Sequence, residues 1–282
     1  MVKATFDIIP ADPVPEDLHK HLLLMEVGEQ LFSYVLYDRQ QQLFIGFRQY
    51  NLDFIPGKPA MEALQEILAG DELLQQPFRE ACLIYHFSDS NLLPEKIFHM
   101  DLNKPVTELV YGNARKGLLL SEKVPDWNLY NVYRIPREAH TLLQQKFAAG
   151  KYWHYYTLLL SGVDKETLSG DTFKVIIAAD RMVVLAFREQ GLLLAQTYAY
   201  HTPEDVSYHL LALCQQFGID PEKLQLQVSG LIDEQSILYQ ELLKYFSEPA
   251  WDQVPGDARL DELFSAYPAH YFSPLLKMAL CV

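Results

Sequence analysis

The feature that most constrains this chain is the run from Phe173 to Phe246, where hydrophobic periodicity changes from strand to helix and back without interruption. Phe173-Lys-Val-Ile-Ile-Ala-Ala179 is β-rich and ends at Asp180-Arg181, a polar pair suited to a tight turn. Met182 to Phe187 pairs back, Glu189-Gln-Gly191 supplies a second turn with Gly191 able to take positive φ, and Leu192 to Tyr200 completes a meander. Thr202 is a good N-cap, Pro203 stands at the first helical position, and Glu204 and Asp205 favour the positive end of the helix dipole. That helix carries Val206, Leu210, Leu213, Cys214 and Phe217 on one stripe, and Gly218 is placed to end it. After Pro221, Leu224-Gln-Leu-Gln-Val228 alternates as a strand with one buried face does. Ser229-Gly230 closes it, and Asp233 caps a second helix whose apolar side is Ile237, Leu238, Leu242, Tyr245 and Phe246. The pattern predicts an α/β domain with a mixed sheet.

A weaker copy of the same order lies near Leu22 to Phe87. An ungapped overlay of Leu22 on Phe173 puts Gly28 on Ala179, Leu31 on Met182 and Tyr37 on Arg188. Leu43 to Phe47 then matches the third strand, a helix follows from about Pro59 to Leu68, and Ala81 to Phe87 is the fourth strand. The expected architecture is therefore an internal duplication, with a first domain over 1–164 and a second over 171–282. Residues up to about His19 read as a surface lead-in, and 88–124 as an irregular insertion holding one proline-started turn at Leu93 to Phe98 and an exposed loop at Asn113 to Gly117. Asn128 to Tyr133 reads as a strand, Pro136 to Phe147 as an amphipathic helix, and Tyr152 to Leu160 as a strand passing into a helix or one buried segment. Gly162 to Asp171 is the candidate hinge. Past Phe246, a loop with Pro249, Pro255 and Gly256 leads to a terminal helix over Tyr271 to Leu280.

A net charge of -14 argues against nucleic acid as a partner, since phosphate binding needs concentrated Lys and Arg. No apolar stretch reaches the length of a membrane span and the first residues lack a signal-peptide core, so a cytoplasmic protein is expected. Cys82, Cys214 and Cys281 lack metal-type spacing. No phosphate-loop, dinucleotide, nucleophile-elbow or zinc-protease motif is present. His19 and His21 lack acidic or cysteine companions, and His86 reads as a hydrogen-bonded core-edge residue rather than a catalyst. The aromatic cluster Tyr152, Trp153, Tyr155 and Tyr156 reads as packing between domains. No residue is singled out as catalytic or metal-binding.

Two domains that each open with a three-stranded meander, a helix and a strand resemble the actin-like ATPase superfamily, with its ribonuclease H-like fold. That resemblance implies three ligand turns: two that hold an Asp and glycines around phosphates and magnesium, and a third, glycine-rich turn against adenosine. Here the first reads Glu26-Val-Gly28-Glu29, the second Ala178-Ala-Asp180-Arg181 without glycine, and the third Ser229-Gly230-Leu231-Ile232 with one glycine. The cleft candidates it yields are Glu26, Gly28, Asp180, Ser229 and Gly230. Side chains at Ala179 and Leu231 would crowd backbone that must approach phosphate or adenine, and Glu29 adds negative charge. The run Leu193 to Phe246, with Leu93 to Phe98, Asn131 to Pro136 and the tail Tyr271 to Cys281, is also similar to an uncharacterised bacterial domain-of-unknown-function family assigned to that superfamily. The implied reading is a pseudo-ATPase with no cofactor, serving as scaffold or adaptor for a protein partner. The alternative is a divergent ATPase or phosphotransferase that uses ATP and magnesium, with Glu26 and Asp180 handling metal and water.

Overall fold

The computed structural model describes residues 2–10, 20–52, 58–114, 116–254 and 258–282. Residues 11–19 of the expected lead-in, including His19, lie outside the described residues, as do Arg115, Pro255 and Gly256. The chain divides into two compact units. Unit 1 comprises Met1–Ser161 with Gly256–Ser265 and Ala279–Val282, and unit 2 comprises Gly162–Pro255 with Ala266–Met278. Two pieces from the far end of the sequence thus belong to unit 1 rather than to the second domain.

In unit 1, strands β1 (Phe6–Ile8), β2 (Leu22–Gly28), β3 (Leu31–Asp38) and β4 (Leu43–Asn51) are followed by helix α1 (Ala60–Gly70) and strand β5 (Glu80–His86). An added layer comes next: β6 (Ser90–Pro94), α2 (Asn103–Tyr111), β7 (Leu118–Val124) and β8 (Leu129–Ile135). Helix α3 (Arg137–Lys146), strand β9 (Lys151–His154) and helix α4 (Tyr155–Ser161) complete the unit. The main sheet has the order β1-β4-β3-β2-β5-β9, with Arg259–Leu260 paired to β4, and β6-β8-β7 form a separate three-stranded sheet. The stretch expected to be irregular over 88–124 is therefore largely ordered. Its sheet is closed by the nonlocal partner β8, which local pattern does not reveal. The Arg134 guanidinium, buried with the Asp89 carboxylate and donating also to the Gly112 carbonyl, ties the end of α2 to this layer.

In unit 2, strands β10 (Asp171–Ile177), β11 (Arg181–Arg188) and β12 (Gly191–Ala199) precede helix α5 (Pro203–Phe217), strand β13 (Gln225–Gly230), helix α6 (Ile237–Leu242), strand β14 (Ala250–Trp251) and helix α7 (Ser273–Leu280), whose last two residues are counted with unit 1. The sheet order is β12-β11-β10-β13-β14, with β13 parallel to β10. Thr202 and Asp205 form a capping box at the start of α5, and Gly218 ends it at φ +65°. Positive φ in the β11–β12 turn is carried by Glu189, at 51°, because Gly191 already pairs with Arg188 inside the strand. Helix α6 stops at Leu242 and is capped by Ser236 rather than Asp233; Ile237, expected on its buried side, is 77% exposed.

Both main sheets share one plan: a meander, then a crossover helix, then a strand parallel to the first. Val27 pairs with Phe32 in the first hairpin, and Ile177 with Met182 in the second. Leu22 thus corresponds to Thr172, Gly28 to Ala178 and Leu31 to Arg181, one position away from the ungapped overlay. The slip has a physical cause. Every residue of β2 is buried, so no polar-apolar alternation fixes its register in the sequence.

Candidate functional site

The five cleft candidates fall into two groups, each at the C-terminal ends of parallel strands, where open α/β sheets hold ligands. Glu26 and Gly28 belong to unit 1; Asp180, Ser229 and Gly230 belong to unit 2.

In unit 1, β2 and β5 run parallel and in register to their last residues, so that Gly28 lies beside His86. A Cβ on Gly28 would meet the His86 carbonyl oxygen at 2.9 Å, which is why glycine stands there. Two residues earlier, the buried Glu26 carboxylate lies 2.7 Å from His86 Nδ1. An ionised carboxylate only accepts, so Nδ1 carries the proton in that bond. The imidazole stacks on the Tyr155 ring at 3.7 Å and 1°. Burial, and then the Glu26 charge, push the Tyr155 hydroxyl well above the usual phenol range. His86 Nε2 is buried and has no hydrogen-bond partner among the described residues. Glu29 is turned to Ser88, whose hydroxyl donates to its Oε1 at 2.8 Å. Tyr152 stacks on Tyr85 at 5.8 Å, so the ring contacts of Tyr152 and Tyr155 are made with neighbours in unit 1.

In unit 2, the turn from Ala178 to Arg181 is closed by the Ala178 N-H donating to the Arg181 carbonyl at 2.9 Å. Tyr200 covers it: its N-H donates to the Asp180 carbonyl at 3.0 Å and its hydroxyl to the Ala178 carbonyl. The Asp180 carboxylate is half exposed and pairs with its own neighbour, Arg181, at 3.0 Å. Gly230 takes φ +81°, and a Cβ there would sit 2.1 Å from the Ile177 carbonyl oxygen. The Leu231 N-H donates to that same oxygen at 2.8 Å, so β13 leaves the sheet directly across the end of β10. Ser229 is buried just before it. Beyond the turn, the Ile232 carbonyl accepts from His270 Nε2 at 2.7 Å, which fixes the proton on that nitrogen. His270 stacks on Trp251 at 4.1 Å, and Trp251 on Tyr239 at 5.1 Å.

His86, Tyr155, Tyr200, His270 and Trp251 are the side chains at these turns that sequence reasoning did not place there. The only local signals were the position of His86 at the end of its strand and of Tyr155 in an aromatic run. A magnesium-bound triphosphate needs free carboxylate oxygen and open backbone N-H groups reached without crowding. At the first turn the Glu26 carboxylate faces His86, at the second the Ala178 carbonyl accepts from Tyr200 and the Asp180 carboxylate pairs with Arg181, and at the third the Ile232 carbonyl accepts from His270. Among the described residues, no group of three or more His, Cys, Asp or Glu is arranged to hold a metal ion, and no helix is long and apolar enough to cross a membrane. A separate cavity of about 400 Å³ opens at the opposite, N-terminal ends of β5 and β9, against Arg79, Ala81, Lys146 and Gly150.

Paired mixed sheets of this order define the class: the chain has the actin-like ATPase fold. A protein of Bacteroides thetaiotaomicron VPI-5482, described as having an actin-like ATPase fold and unknown function, superposes with a TM-score of 0.75 at 13% identity, over 93% of this chain and 97% of that one. A chain of the PilM-PilN type IV pilus biogenesis complex superposes with a TM-score of 0.59 at 12% identity, over 92% of this chain and 97% of that one. At such identities the likeness is one of fold. The protein belongs to the DUF3822 family of proteins of unknown function, whose family model matches residues 15–248. No curated protein sequence matches the chain.

Proposed function

We propose that this protein is a pseudo-ATPase: a non-catalytic scaffold or adaptor of actin-like fold that acts through protein contacts. The observation that carries the reading is the state of Glu26. It is one of the two carboxylates, with Asp180, that the resemblance would assign to magnesium and water, and it is buried and bound to His86. One carboxylate oxygen is taken by His86, and burial of the group disfavours the approach of a hydrated magnesium ion to the other. Tyr200 over the second turn and His270 on the third favour the same reading. The likeness to a chain of a pilus biogenesis complex is compatible with work done by contacts rather than turnover. A net charge of -14 and a mean hydropathy of -0.06 suit a cytoplasmic setting, and the shared strand order of the two sheets supports origin by internal duplication.

The test is thermal unfolding with and without millimolar Mg-ATP. A ligand held only by the native state at about 100 times its Kd stabilises by roughly 2.7 kcal/mol, a rise of several degrees. The expected result is no rise. A clear shift would favour the ATPase or phosphotransferase alternative instead, which hydrolysis assays on Glu26→Gln and Asp180→Asn would then test.

A further inference from the structure

Strand β12 forms one edge of the unit 2 sheet, and among the described residues no strand pairs with its outer side. Its ladder with β11 fixes which backbone groups face outward. The Tyr200 N-H donates to the Asp180 carbonyl at 3.0 Å, so the alternate residues Tyr198, Gln196 and Leu194 bond to β11. Ala195, Thr197 and Ala199 direct their N-H and C=O groups away from the sheet. The Gln196 side-chain amide reaches the Thr197 carbonyl only at 3.4 Å, beyond the usual hydrogen-bond length. No residue of β12 is buried. Edges in natural sheets are kept from pairing by a short strand, a lysine, a proline or a bulge. From Gly191 to Ala199 there is neither charge nor proline, and the bulge, at Leu193, lies near one end.

Unit 1 contains the same strand of the shared plan with its edge covered. Both strands carry a one-residue bulge at the same place, Ile45 in β4 and Leu193 in β12. On that register Phe47, Arg48 and Gln49 correspond to Ala195, Gln196 and Thr197. The outer side of β4 is taken by Arg259–Leu260 and by β1, which runs antiparallel and sets Ile8, Asp7 and Phe6 opposite those three residues. Phe44 to Phe47 and Tyr50 are buried in consequence. This precedent sets the chemistry that β12 lacks. Asp7 answers Arg48 at 2.8 Å, but the matching residue in β12 is Gln196, which calls for an uncharged polar partner. Leu194 and Tyr198 pack on the side of the core with α5, and the side chains of Ala195 and Thr197 alternate to the other face. Both are smaller than Phe47 and Gln49, and so leave room there for two large apolar side chains in the places of Ile8 and Phe6.

We propose that β12 takes an extended segment of a partner protein as an added antiparallel strand, with an apolar–polar–apolar triplet, uncharged at its centre, opposite Thr197, Gln196 and Ala195. This gives the scaffold reading its point of contact and rests on that reading. The probe is a fluorescent peptide of residues 3–9 of this chain carrying Asp7→Asn, titrated with the full chain and followed by anisotropy. Saturable binding with a Kd below about 1 mM is expected, and hydrogen exchange at the Ala195 and Ala199 amides should slow in the complex. Ala195→Pro removes an outward donor without breaking the ladder to β11, and Ala195→Lys adds an edge charge. Each should weaken binding at least about 10-fold with the circular dichroism spectrum kept, as should Ile8→Pro in the peptide. The proposal is overturned if binding does not saturate by about 1 mM, if both Ala195 variants bind as the wild type does, or if protection appears on β4 instead. A free chain that sediments as a dimer with Ala195 and Ala199 already protected would also overturn it, because a second copy would then be the occupant. None of these outcomes alters the Mg-ATP melting result, which tests the scaffold reading separately.

Discussion

Gly230 is where the close approach of β13 to β10 can be tested most directly. An L-residue at φ +81° carries about 1–2 kcal/mol of backbone strain. A Cβ there would lie 2.1 Å from the Ile177 oxygen and 2.9 Å from its nitrogen, both backbone atoms that cannot rotate away. The strands must part, which stretches the 2.8 Å bond from the Leu231 N-H to the Ile177 oxygen, and a buried bond left unmade costs about 1–3 kcal/mol. Gly230→Ala should therefore lose about 2–5 kcal/mol, a large part of the 5–15 kcal/mol that holds a typical domain. Gly218→Ala is the control. It has φ +65° but nothing within 4 Å of its added Cβ, so it pays the strain alone, about 1–2 kcal/mol. Urea unfolding, with hydrogen exchange resolved to β10 and β13, measures both. If Gly230→Ala costs no more than Gly218→Ala, the close approach is not what demands glycine, and the turn has room that this reasoning denies it.

Other perturbations probe the buried polar groups. Glu26→Gln can still accept from His86 Nδ1 and should cost less than about 1 kcal/mol, whereas Glu26→Ala leaves a buried imidazole without a partner and should cost about 1–3 kcal/mol in urea unfolding. Arg134→Met takes from the buried Asp89 carboxylate its two guanidinium bonds and should cost about 3–5 kcal/mol, most of it recovered in the Arg134→Met, Asp89→Asn double variant. Burial pushes His154 down to about 3, so below the unfolded value of about 6.5 the unfolded chain takes a proton that the folded chain refuses. Stability is then complete above about pH 6.5 and falls towards pH 3 by up to about 1.4 kcal/mol per pH unit; His154→Gln should remove that slope, while the raised carboxyl of Glu122, which acts in the opposite sense, remains in both proteins.

What could be read from the sequence follows the range of each signal. Thr202, Pro203 and Gly218 act on their own helix within a few residues, and the capping box and left-handed end of α5 lie where they indicate. The order of strands and helices in both units was legible for the same reason, because each element carries its own period. The added layer was not. β7 reads Leu-Leu-Leu-Ser-Glu-Lys-Val without alternation, and α2 turns its apolar stripe outward, so neither announces a core. The candidate turns were visible as positions, but their occupants were not. His86 meets Glu26 from 60 residues away, Tyr200 meets Ala178 from 22, and His270 meets Ile232 from 38. Those pairings are consequences of register and of the returning tail, which no window along the chain contains.

These contacts create an energetic asymmetry between two parts of the protein. At the strand ends, the Glu26 carboxylate and the carbonyls of Ala178, Asp180 and Ile232 are already hydrogen-bonded within the chain, so a metal that took one of those oxygens would gain only the difference between the new bond and the one displaced. At α2 the situation is reversed. The polar side is satisfied internally and the apolar side is in water, so a protein surface placed there removes exposed hydrocarbon at about 25 cal/mol per Å² without breaking any bond the monomer makes. For a given contact area, more free energy is therefore available on the added layer than at the turns the fold would offer a nucleotide. The proposal that this chain works by association, carried by the state of Glu26, is favoured by that difference. It would fail if a ligand were found that replaces the His86, Tyr200 and His270 contacts with better ones.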